Sequence, residues 1–482
     1  MTTQETGARR ADEAAAESGV CPYLEVPEST TEDPEWRTFT ATLEATPYKV
    51  EVGDTVRLSG AKFAPGARVD LVWYSVEGRY ESQGGTELIG QRYETTSRVV
   101  ATTVAGAEGD VHLDLTIPSD FGGPHDIRAS VDGYEVAQTG VFITPTFSMT
   151  PEEGPVGTAI DLEIVGVDMR LFCNTWHLLW DNKYLGLITA VTTHGVARAR
   201  FRAAGPVGRH FIEVWNNSFV SSPYLAWDRS PFRDEFDVPA EFTFNVTADA
   251  GALPPSMEDF SATDDPWPVE PIGAGRLVLS VDRATVGEPV RLSGEALPPN
   301  TDLALIWRAA NGDRVGFGIS EIVTTMATVR TDAAGRFAYD FDTPSDLGGN
   351  HRIEVRQGAD ALAYTNFIIL PSLLSYTRRA RVGEKIAVHL KGTGWTTCDN
   401  TYSVTYDNSH IGYACAFSTR GDMQFTVTAT GTPGTHLLDL YPNMYKGADA
   451  TPNVYARPQL TYAEDHPQRT LPAIRLTIEV TE

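Results

Sequence analysis

The sequence predicts an all-β chain of four tandem β-sandwich domains, arranged as a duplicated two-domain unit. Three observations predict this fold. Short runs such as VRLSG, RVDLVW, HLDLTI and HRIEV alternate apolar and polar residues with a period of two. Gly, Pro, Asn and Asp separate these runs, and long segments recur at fixed offsets. No stretch combines a helical period with capping residues, so we expect strands throughout.

The clearest repeat relates the first and third domains. Residues 52–73 match residues 286–307 at ten of 22 positions, and residues 118–125 match residues 344–351 at six of eight. Between these two anchors, the first copy carries eight additional residues in a segment that contains GRYESQGGTELIG. Ungapped identity at this level indicates that the two domains share an origin.

A second repeat relates the second and fourth domains. Residues 174–219 align with residues 400–445 at a constant offset of 226, with 13 identities in 46 positions. The repeated unit is therefore a pair of domains. The repeats and the changes in composition give six segments: an acidic N-terminal tail (1–36), domain 1 (37–145), domain 2 (146–247), a linker rich in Pro and acidic residues (248–273), domain 3 (274–370, the repeat of domain 1) and domain 4 (371–482, the repeat of domain 2).

One aromatic residue near the middle of the third strand marks the predicted core of each domain. These residues are Trp73, Trp180, Trp307 and Tyr406. Short strands in a domain of about 100 residues, with a central Trp, are typical of an immunoglobulin-like sandwich. The aromatic ring would fill the space between two sheets that lie roughly 10 Å apart. The cysteine pair of antibody domains is missing, so we expect these cores to depend on packing alone.

The first domain also carries a motif that resembles a known family. A Pro and a V-G pair precede L-x-G, F-x-P-G, the strand with the central Trp and a closing G-x-H-x-I. The matching residues are Pro47, Gly53, Val56, Leu58, Gly60, Phe63, Pro65, Gly66, Trp73, Gly123, His125 and Ile127. This pattern resembles the bacterial immunoglobulin-like repeats of IPT/TIG type. The resemblance implies the sandwich fold, but such repeats accompany enzymes, adhesins and assembly proteins alike.

A histidine recurs in the same apolar frame of all four domains. These residues are His125, His210, His351 and His436. The strand period puts each on the same face as the apolar residues that follow it, so each side chain is expected to point to the core. The preceding Gly allows a tight turn into this strand, where immunoglobulin-like folds commonly have a Tyr that bonds back to the backbone. We expect a neutral imidazole to donate to a carbonyl in the same way, and we expect no metal there.

The formal net charge of -26 argues against a nucleic-acid partner, because phosphate binding needs clustered Lys and Arg, and no such cluster occurs. No stretch approaches the roughly 18 uninterrupted apolar residues of a membrane span. The N-terminal sequence MTTQETGARRADEAAAESG has an Arg pair without an apolar core after it, unlike a secretory signal. We therefore expect a cytoplasmic protein, or one exported by a non-classical route, without membrane insertion.

Four cysteines in 482 residues do not make a disulfide scaffold. Cys398 and Cys415 flank a predicted hairpin. If DNSH is its tight turn, Cys415 lies opposite Tyr402, which is roughly 13 Å along the strand from Cys398. This register favours two thiols over a bridge, whereas an irregular hairpin would allow the bridge.

Motifs that carry catalytic chemistry do not occur in the chain. H-E-x-x-H, G-x-S-x-G, G-x-x-x-x-G-K-[ST] and C-x-x-C are all absent from the sequence. Four sandwiches without an inserted catalytic domain favour a protein that is not an enzyme. Two acidic clusters, residues 234–237 and 257–265, could bind Ca²⁺ between domains, but neither has EF-hand spacing. A solvated acidic surface is the simpler interpretation, so we expect no cofactor.

Domains 2 and 4 have long segments after the histidine strand, residues 216–239 and 442–467. Loops of this length are uncommon unless they are functional or disordered, and these are rich in the aromatic residues and Arg that dominate binding hot spots. The candidate binding residues are Tyr224, Trp227, Arg229, Phe232 and Arg233 in domain 2, and Tyr445, Tyr455, Arg457 and Tyr462 in domain 4. The alternative is that these side chains cover the neighbouring domain and lock a rigid pair.

These observations favour a non-catalytic, multi-domain immunoglobulin-like protein that recognises a protein partner through the long loops or builds an assembly, with self-assembly among the options. The duplication would supply two similar binding ends. Carbohydrate binding by the same loops is an alternative, in which exposed Trp227 and Tyr455 stack on sugar faces. A further alternative is an enzyme with an interdomain site, which requires polar groups with shifted pKa values in a cleft.

Overall fold

The chain consists of strands and their connections in the computed structural model. The structure describes residues 39–83, 87–170, 173–217, 223, 239–251, 253–258, 269–312, 319–394, 401–416, 418–443, 457–466 and 471–482. Every element assigned within these ranges is a strand, and the strands form eight sheets. The prediction of an all-β fold is confirmed.

The first half of the chain contains two pairs of sheets. The strands of domain 1 are β1 (Thr42–Thr46), β2 (Lys49–Val50), β3 (Thr55–Ala61), β4 (Arg68–Gln83), β5 (Glu87–Val104), β6 (Val111–Thr116), β7 (Gly123–Val131) and β8 (Tyr134–Ile143). The strands of domain 2 are β9 (Thr146–Thr150), β10 (Glu153–Gly154), β11 (Ala159–Val165), β12 (Thr175–Trp180), β13 (Lys183–Thr189), β14 (Val196–Arg202), β15 (Gly208–Asn217) and β16 (Ala240–Val246).

The second half repeats this arrangement after β17 (Ser256–Met257) in the linker. The strands of domain 3 are β18 (Arg276–Leu279), β19 (Arg283–Thr285), β20 (Pro289–Glu295), β21 (Asp302–Gly312), β22 (Ile319–Arg330), β23 (Phe337–Asp342), β24 (Gly349–Gln357) and β25 (Asp360–Leu370). The strands of domain 4 are β26 (Ser372–Tyr376), β27 (Arg379–Arg381), β28 (Lys385–Lys391), β29 (Thr401–Tyr406), β30 (Ser409–Cys415), β31 (Met423–Thr428), β32 (Gly434–Pro442) and β33 (Ile474–Thr481).

The sheets of the four domains share one topology. The three-stranded sheets have the orders β1-β3-β6, β14-β11-β9, β18-β20-β23 and β26-β28-β31. The larger sheets have the orders β2-β8-β7-β4-β5, β10-β16-β15-β12-β13, β19-β25-β24-β21-β22 and β17-β33-β32-β29-β30, with β27 also on β33. The pairing is antiparallel except where β2, β10, β19 and β27 join the larger sheets. This strand-by-strand agreement is what an ancestral duplication predicts.

Buried apolar side chains form four clusters, one for each pair of sheets. The central aromatic residues Trp73, Trp180, Trp307 and Tyr406 are all buried within them. Alternate residues face inward, as in β3, where Val56 and Leu58 are fully buried between exposed neighbours. The domain 2 cluster also contains side chains of domain 4, namely Leu437, Tyr441, Leu460, Tyr462 and Ala473. Domains 2 and 4 therefore share a continuous apolar core.

The additional residues of the first repeat lengthen one hairpin. In domain 1, β4 and β5 have 16 and 18 residues, whereas their counterparts β21 and β22 have 11 and 12. The longer hairpin reaches domain 2, where Gly78 lies so close to Val191 that a Cβ would come within 2.1 Å of the Val191 carbonyl oxygen. Only glycine fits this approach without displacing backbone.

The β29–β30 hairpin has a tighter turn than the sequence interpretation assumed. Asp407 and Asn408 both have positive φ, 45° and 60°, as a two-residue turn requires. The shorter turn, combined with a register shift of one residue between Val404 and Thr405, pairs Cys415 with Thr401 and not with Tyr402. Cys415 is exposed, and Cys398 lies outside the described residues.

Candidate functional site

Each recurring histidine stacks on the central aromatic ring of its domain. The ring centroids are 4.7 Å apart for His125 and Trp73, and 4.6 Å apart for His351 and Trp307. The corresponding distances are 5.2 Å in domain 2 and 5.5 Å in domain 4, and the ring planes are within 25° of parallel in all four domains. All four imidazoles are buried, so the expected inward orientation is observed.

Both ring nitrogens of each histidine contact a hydrogen-bond acceptor. Nε2 lies 2.8 Å from the carbonyl oxygen of the residue four positions earlier in all four domains. Nδ1 of His125 lies 3.0 Å from the Tyr74 carbonyl oxygen, and Nδ1 of His351 lies 3.1 Å from that of Arg308. A neutral imidazole donates from only one nitrogen. The sequence predicted one acceptor for each imidazole, whereas the structure places a second acceptor at the other ring nitrogen.

In domains 2 and 4 the second acceptor is a carboxylate from the hairpin turn. Nδ1 of His210 lies 2.6 Å from Oδ2 of Asp181, and Nδ1 of His436 lies 2.6 Å from Oδ2 of Asp407. The other carboxylate oxygens accept from the backbone N–H groups of Phe211 and Leu437. Each turn aspartate thus has a second role that turn chemistry alone did not predict, because it fixes the histidine strand.

The His436 motif predicts a pH dependence of stability. Burial opposes the charged imidazolium, but the hydrogen bond and the charge of Asp407 outweigh burial and raise the pKa of His436 above its usual 6.5. The folded state therefore binds this proton more tightly than the unfolded state does. Its contribution to the free energy of unfolding is fully present below pH 6.5 and is lost as the pH rises through the raised pKa.

We expect urea titrations at increasing pH above 6.5 to show that domain 4 loses stability in wild type. The same titrations of His436→Gln should show no such loss. His410 has the opposite shift, because burial lowers its pKa, and it titrates below 6.5, outside this window. A variant that loses stability in parallel with wild type would contradict the assignment to His436.

Most of the candidate binding residues cannot be placed. Tyr224, Trp227, Arg229, Phe232, Arg233, Tyr445 and Tyr455 lie outside the described residues. The two that are described lie where domain 4 meets domain 2. Tyr462 is 6% exposed and belongs to the domain 2 core, and the guanidinium of Arg457 lies 5.7 Å from the ring centroid of Tyr184. Both fit the alternative interpretation, in which loop side chains cover the neighbouring domain.

The end of the domain 4 loop pairs with an edge strand of domain 2. Leu187 N donates to the Pro458 carbonyl at 2.8 Å, and Leu460 N donates to the Leu187 carbonyl at 2.8 Å. Gln459 thereby forms a parallel bridge with Leu187 at the edge of β13. A short segment of domain 4 has been added to the domain 2 sheet, and the edge strand gains backbone partners it would otherwise lack.

Asp465 lies at the meeting point of domains 1, 2 and 4. Its side chain is 1% exposed and accepts the backbone N–H groups of Val191 at 3.0 Å and Thr192 at 2.9 Å. It also accepts the hydroxyls of Thr192 at 2.8 Å and Tyr80 at 2.9 Å. Tyr80 is carried there by the lengthened β4–β5 hairpin. We call this set of contacts the three-domain junction.

Replacing Tyr80 is expected to weaken the three-domain junction. Burial, followed by the Asp465 carboxylate, raises the pKa of Tyr80, so its hydroxyl stays protonated and donates. Tyr80→Phe removes a donor to a buried charge, which should lower the free energy of unfolding by about 1–3 kcal/mol in a urea titration. Tyr134→Phe is the control, because Tyr134 is 76% exposed and should leave stability unchanged. Equal effects of the two variants would contradict the role of Tyr80.

A buried ion cluster joins domain 2 to the outer face of the larger domain 4 sheet. Arg202 Nε lies 3.1 Å from Asp439 Oδ2, and its Nη2 donates to Asp439 Oδ1 and, at 2.8 Å, to the Leu476 carbonyl. Arg475 Nη1 lies 3.3 Å from the same carboxylate and stacks 4.3 Å above the Tyr441 ring. Asp439 is 1% exposed, so one carboxylate serves two cations away from water.

Neighbouring domains within each half are joined by equivalent contacts. Gly122 N donates to the Val167 carbonyl at 3.0 Å, and Gly348 N donates to the Thr393 carbonyl at 3.1 Å, at positions 226 residues apart. Asp346 additionally pairs with Arg420 at 2.8 Å between domains 3 and 4. The contact between neighbouring domains therefore recurs at the offset of the sequence repeat.

A cavity of about 500 Å³ lies between the three-stranded sheet of domain 2 and the domain 4 loop. Its charged walls are internally paired: Arg198 lies 2.7 Å from Glu163 and 3.1 Å from Glu464, and Arg200 lies 2.6 Å from Asp161. Glu258 in the same wall accepts the Tyr462 hydroxyl. Of these ion pairs, that of Arg198 with Glu464 joins domain 2 to the domain 4 loop.

The described ranges contain no group of three or more His, Cys, Asp or Glu side chains placed to hold a metal ion. The acidic cluster at 234–237 lies outside the described residues, as does most of the cluster at 257–265. Within the same ranges, no helix has the length and apolarity to cross a membrane.

No family model matches the sequence, and no curated protein matches it. Among solved structures, the chain is similar to a Salmonella alpha-2-macroglobulin reacted with methylamine, at 9% identity and a TM-score of 0.19, over 90% of this chain and 30% of that one. It is also similar to the Escherichia coli adhesin FdeC, at 12% identity and a TM-score of 0.16, over 69% of this chain and 97% of that one. The Yersinia pseudotuberculosis adhesin InvE gives 15% identity and a TM-score of 0.16, over 47% of this chain and 58% of that one.

The chain spans less than a third of the length of the alpha-2-macroglobulin. Likenesses with such TM-scores carry no argument about function, so the fold rests on the strand pairing itself. Paired three-stranded and larger sheets around a central aromatic residue define a multi-domain immunoglobulin-like β protein.

Proposed function

We propose that the chain is a non-catalytic scaffold and binding protein whose four sandwiches are held in a fixed arrangement. The three-domain junction and the buried ion cluster support this proposal most strongly, because Asp465 takes buried partners from domains 1 and 2, and Asp439 takes Arg202 from domain 2. Such partners would be lost if the domains separated, and buried charges without partners are strongly unfavourable. Rigid domains present loops in fixed positions, which lowers the entropy lost when a partner binds.

Cleavage of the linker tests the scaffold. A protease site placed between Thr263 and Asp264 would cut the chain between its halves, and we expect the two fragments to co-elute in size-exclusion chromatography. The junction of domains 2 and 4 would hold them together. The same cleaved chain carrying Asp439→Lys, which puts three buried cations together, should separate into halves. Halves that separate without this substitution would overturn the proposal.

The finer part of the proposal is that the long loops recognise a protein partner through residues beyond the junction. Two observations support it. Loop residues 457–466 already join the domains, which leaves the residue types of binding hot spots in the rest of both loops. The IPT/TIG-type motif of domain 1 also supports the assignment to a repeat family in which loops carry function and the sandwiches carry stability.

A pull-down from host lysate tests partner recognition. The wild-type chain is compared with Trp227→Ala/Tyr455→Ala and with the control Tyr134→Ala. We expect a protein retained by wild type and by the control but lost by the double variant. Retention by all three chains would remove the long loops as the recognition surface.

A further inference from the structure

Domains 2 and 4 are homologous, but they meet through different surfaces. Domain 2 contributes its edge, strands β13 and β14. Domain 4 contributes mainly the outer face of its larger sheet, strands β32 and β33, and the turn end of β30 also touches β13, where the ring centroids of His410 and Tyr184 are 6.4 Å apart. A contact between equivalent units through unlike surfaces is heterologous, as between successive subunits of a head-to-tail polymer. It leaves two further surfaces, the corresponding edge of domain 4 and the corresponding face of domain 2.

Beyond the turn end of β30, the edge of domain 4 is exposed, whereas the corresponding edge of domain 2 is covered. Leu185 and Leu187 of β13 are 0% and 2% exposed, because domain 4 lies over them. Their counterparts at the offset of 226, Ile411 and Tyr413 of β30, are 48% and 51% exposed. The strand SHIGYAC carries no Lys, Arg, Asp or Glu in a chain with a net charge of -26. An uncharged, apolar edge strand lacks the usual protection against pairing with another chain.

The face of domain 2 is exposed where that of domain 4 is covered. Leu437 and Tyr441 on β32 are 1% and 0% exposed, because they pack into the domain 2 core. The counterpart of Leu437 is Phe211 on β15, which is 56% exposed. The counterpart of Tyr441 is Trp215, which is only partly buried. The same two positions thus have large apolar side chains in both domains, but another domain covers them only in domain 4.

A cavity of about 450 Å³ marks the exposed edge of domain 4. Ile411, Val427 and Thr428 line it, and Lys183 of domain 2 closes one end. Their counterparts in domain 2 are Leu185, Phe201 and Arg202, which are 0%, 0% and 7% exposed. Phe201 packs on Trp180 inside the domain 2 sandwich, and Arg202 lies in the contact with domain 4. Since Leu437 packs in that cluster in domain 2, its counterpart Phe211 has the matching position to enter the cavity on domain 4.

The charges of the two exposed surfaces are complementary. On domain 2, Glu213 and Glu241 face each other across β15 and β16, at the positions that Asp439 and Arg475 occupy in domain 4. On domain 4, Thr428 takes the place of Arg202, and the exposed Lys385 ammonium lies 2.8 Å from its hydroxyl. Lys385 therefore supplies at this edge the cation that Arg202 supplies in the buried contact.

We propose that copies of this chain assemble head to tail, with the domain 4 edge of one copy on the outer face of the larger domain 2 sheet of the next. The contact repeats between chains the one that joins domains 2 and 4 within a chain. Each copy offers one surface of each kind, so the assembly is an open fibre or a closed ring, depending on the rotation between copies.

Complementation between two variants of the full chain tests this assembly. We expect wild type to form a series of species beyond the dimer in sedimentation velocity as concentration rises. Phe211→Glu should destroy the domain 2 face, and Tyr413→Glu should destroy the domain 4 edge, so each alone should be monomeric. An equimolar mixture should form a dimer and stop there, because each variant keeps one intact surface. Tyr134→Glu, at an exposed position of domain 1, should assemble like wild type.

Each other outcome overturns the proposal. A wild type that stays monomeric at its highest soluble concentration would assign the two surfaces to another occupant. If the variants lose association and mixing does not restore it, the assembly is a symmetric dimer. If the variants assemble like wild type, neither surface takes part in assembly. Unchanged urea unfolding midpoints establish that the variants are folded. The linker-cleavage result concerns the buried contact within a chain, so the proposed scaffold can hold while this assembly fails.

Discussion

Asp439→Ala is expected to lower the free energy of unfolding of the joined domains 2 and 4 by about 3–5 kcal/mol. The substitution leaves the guanidinium groups of Arg202 and Arg475 close together, and both arginines are less than a tenth exposed. No other carboxylate within the described residues pairs with either. Urea unfolding followed by tryptophan fluorescence should show an earlier transition, because buried cations that lose their counter-ion favour the unfolded chain.

An exposed ion pair of domain 2 provides the control. Asp161 pairs with Arg200 at 2.6 Å, but the two side chains are 51% and 66% exposed. Asp161→Ala should therefore change stability by less than about 1 kcal/mol. Replacing the whole cluster with apolar residues, as Arg202→Met/Asp439→Leu/Arg475→Met, should restore most of the loss. Equal effects of Asp439→Ala and Asp161→Ala would show that burial of the cluster has no energetic role.

Trp73→Ala is expected to destabilise domain 1 by about 3–5 kcal/mol. Its ring is 0% exposed and stacks on His125, and its Nε1 donates to Asp120 Oδ2 at 2.8 Å. Removing the ring opens a cavity between the sheets and leaves a buried carboxylate oxygen with one donor fewer. Calorimetry should show the transition of domain 1 at a lower temperature, while that of domain 3 stays in place.

Trp73→Phe separates packing from hydrogen bonding. Phenylalanine keeps an aromatic ring between the sheets but cannot donate to Asp120, so a smaller loss of about 1–3 kcal/mol is expected. If the Phe variant loses as much as the Ala variant, the indole N–H would be the main contribution of Trp73, and the packing argument would be wrong.

The features that sequence analysis predicted are local and repeated. A period of two places Trp73 and the four histidines on inner strand faces, and duplication shows each pattern twice. The turn predicted within DNSH forms at Asp407 and Asn408, residue types that accept positive φ. Such features depend on neighbours within a few residues or on the nearest strand, so an alternating pattern contains most of what determines them.

The residues of the buried ion cluster were not predicted, because an alternating pattern of apolar and polar residues indicates that the polar ones face solvent. Asp439 and Arg475 alternate with core residues along their strands, which normally marks a solvated face. What buries them is domain 2, and Arg202 is 237 residues away from Asp439 in the sequence. Periodicity within one strand contains no information about such a distant partner.

One signal of the junction was present in the sequence. Strand β13, KYLGLIT, is apolar at nearly every position after Lys183, and a continuous apolar run indicates a strand covered on both faces. The eight additional residues of the first repeat were a second signal, since a lengthened hairpin needs something to contact. Neither signal identifies the residues that these segments contact, because those residues are brought there only by the packing of three domains.

The contact between Tyr80 and Asp465 has a consequence for biosynthesis, because 385 residues separate them. At a synthesis rate of about 5–20 residues per second, Tyr80 precedes its acceptor by roughly 20–80 s. From the synthesis of Thr192 until that of Asp465, 273 residues later, the nascent chain presents the β13 edge and the Val191 and Thr192 amides without the segment that later covers them. Domain 4 therefore completes domains 1 and 2, and a chain that terminates before it would leave an open strand edge for chaperones or for other nascent chains.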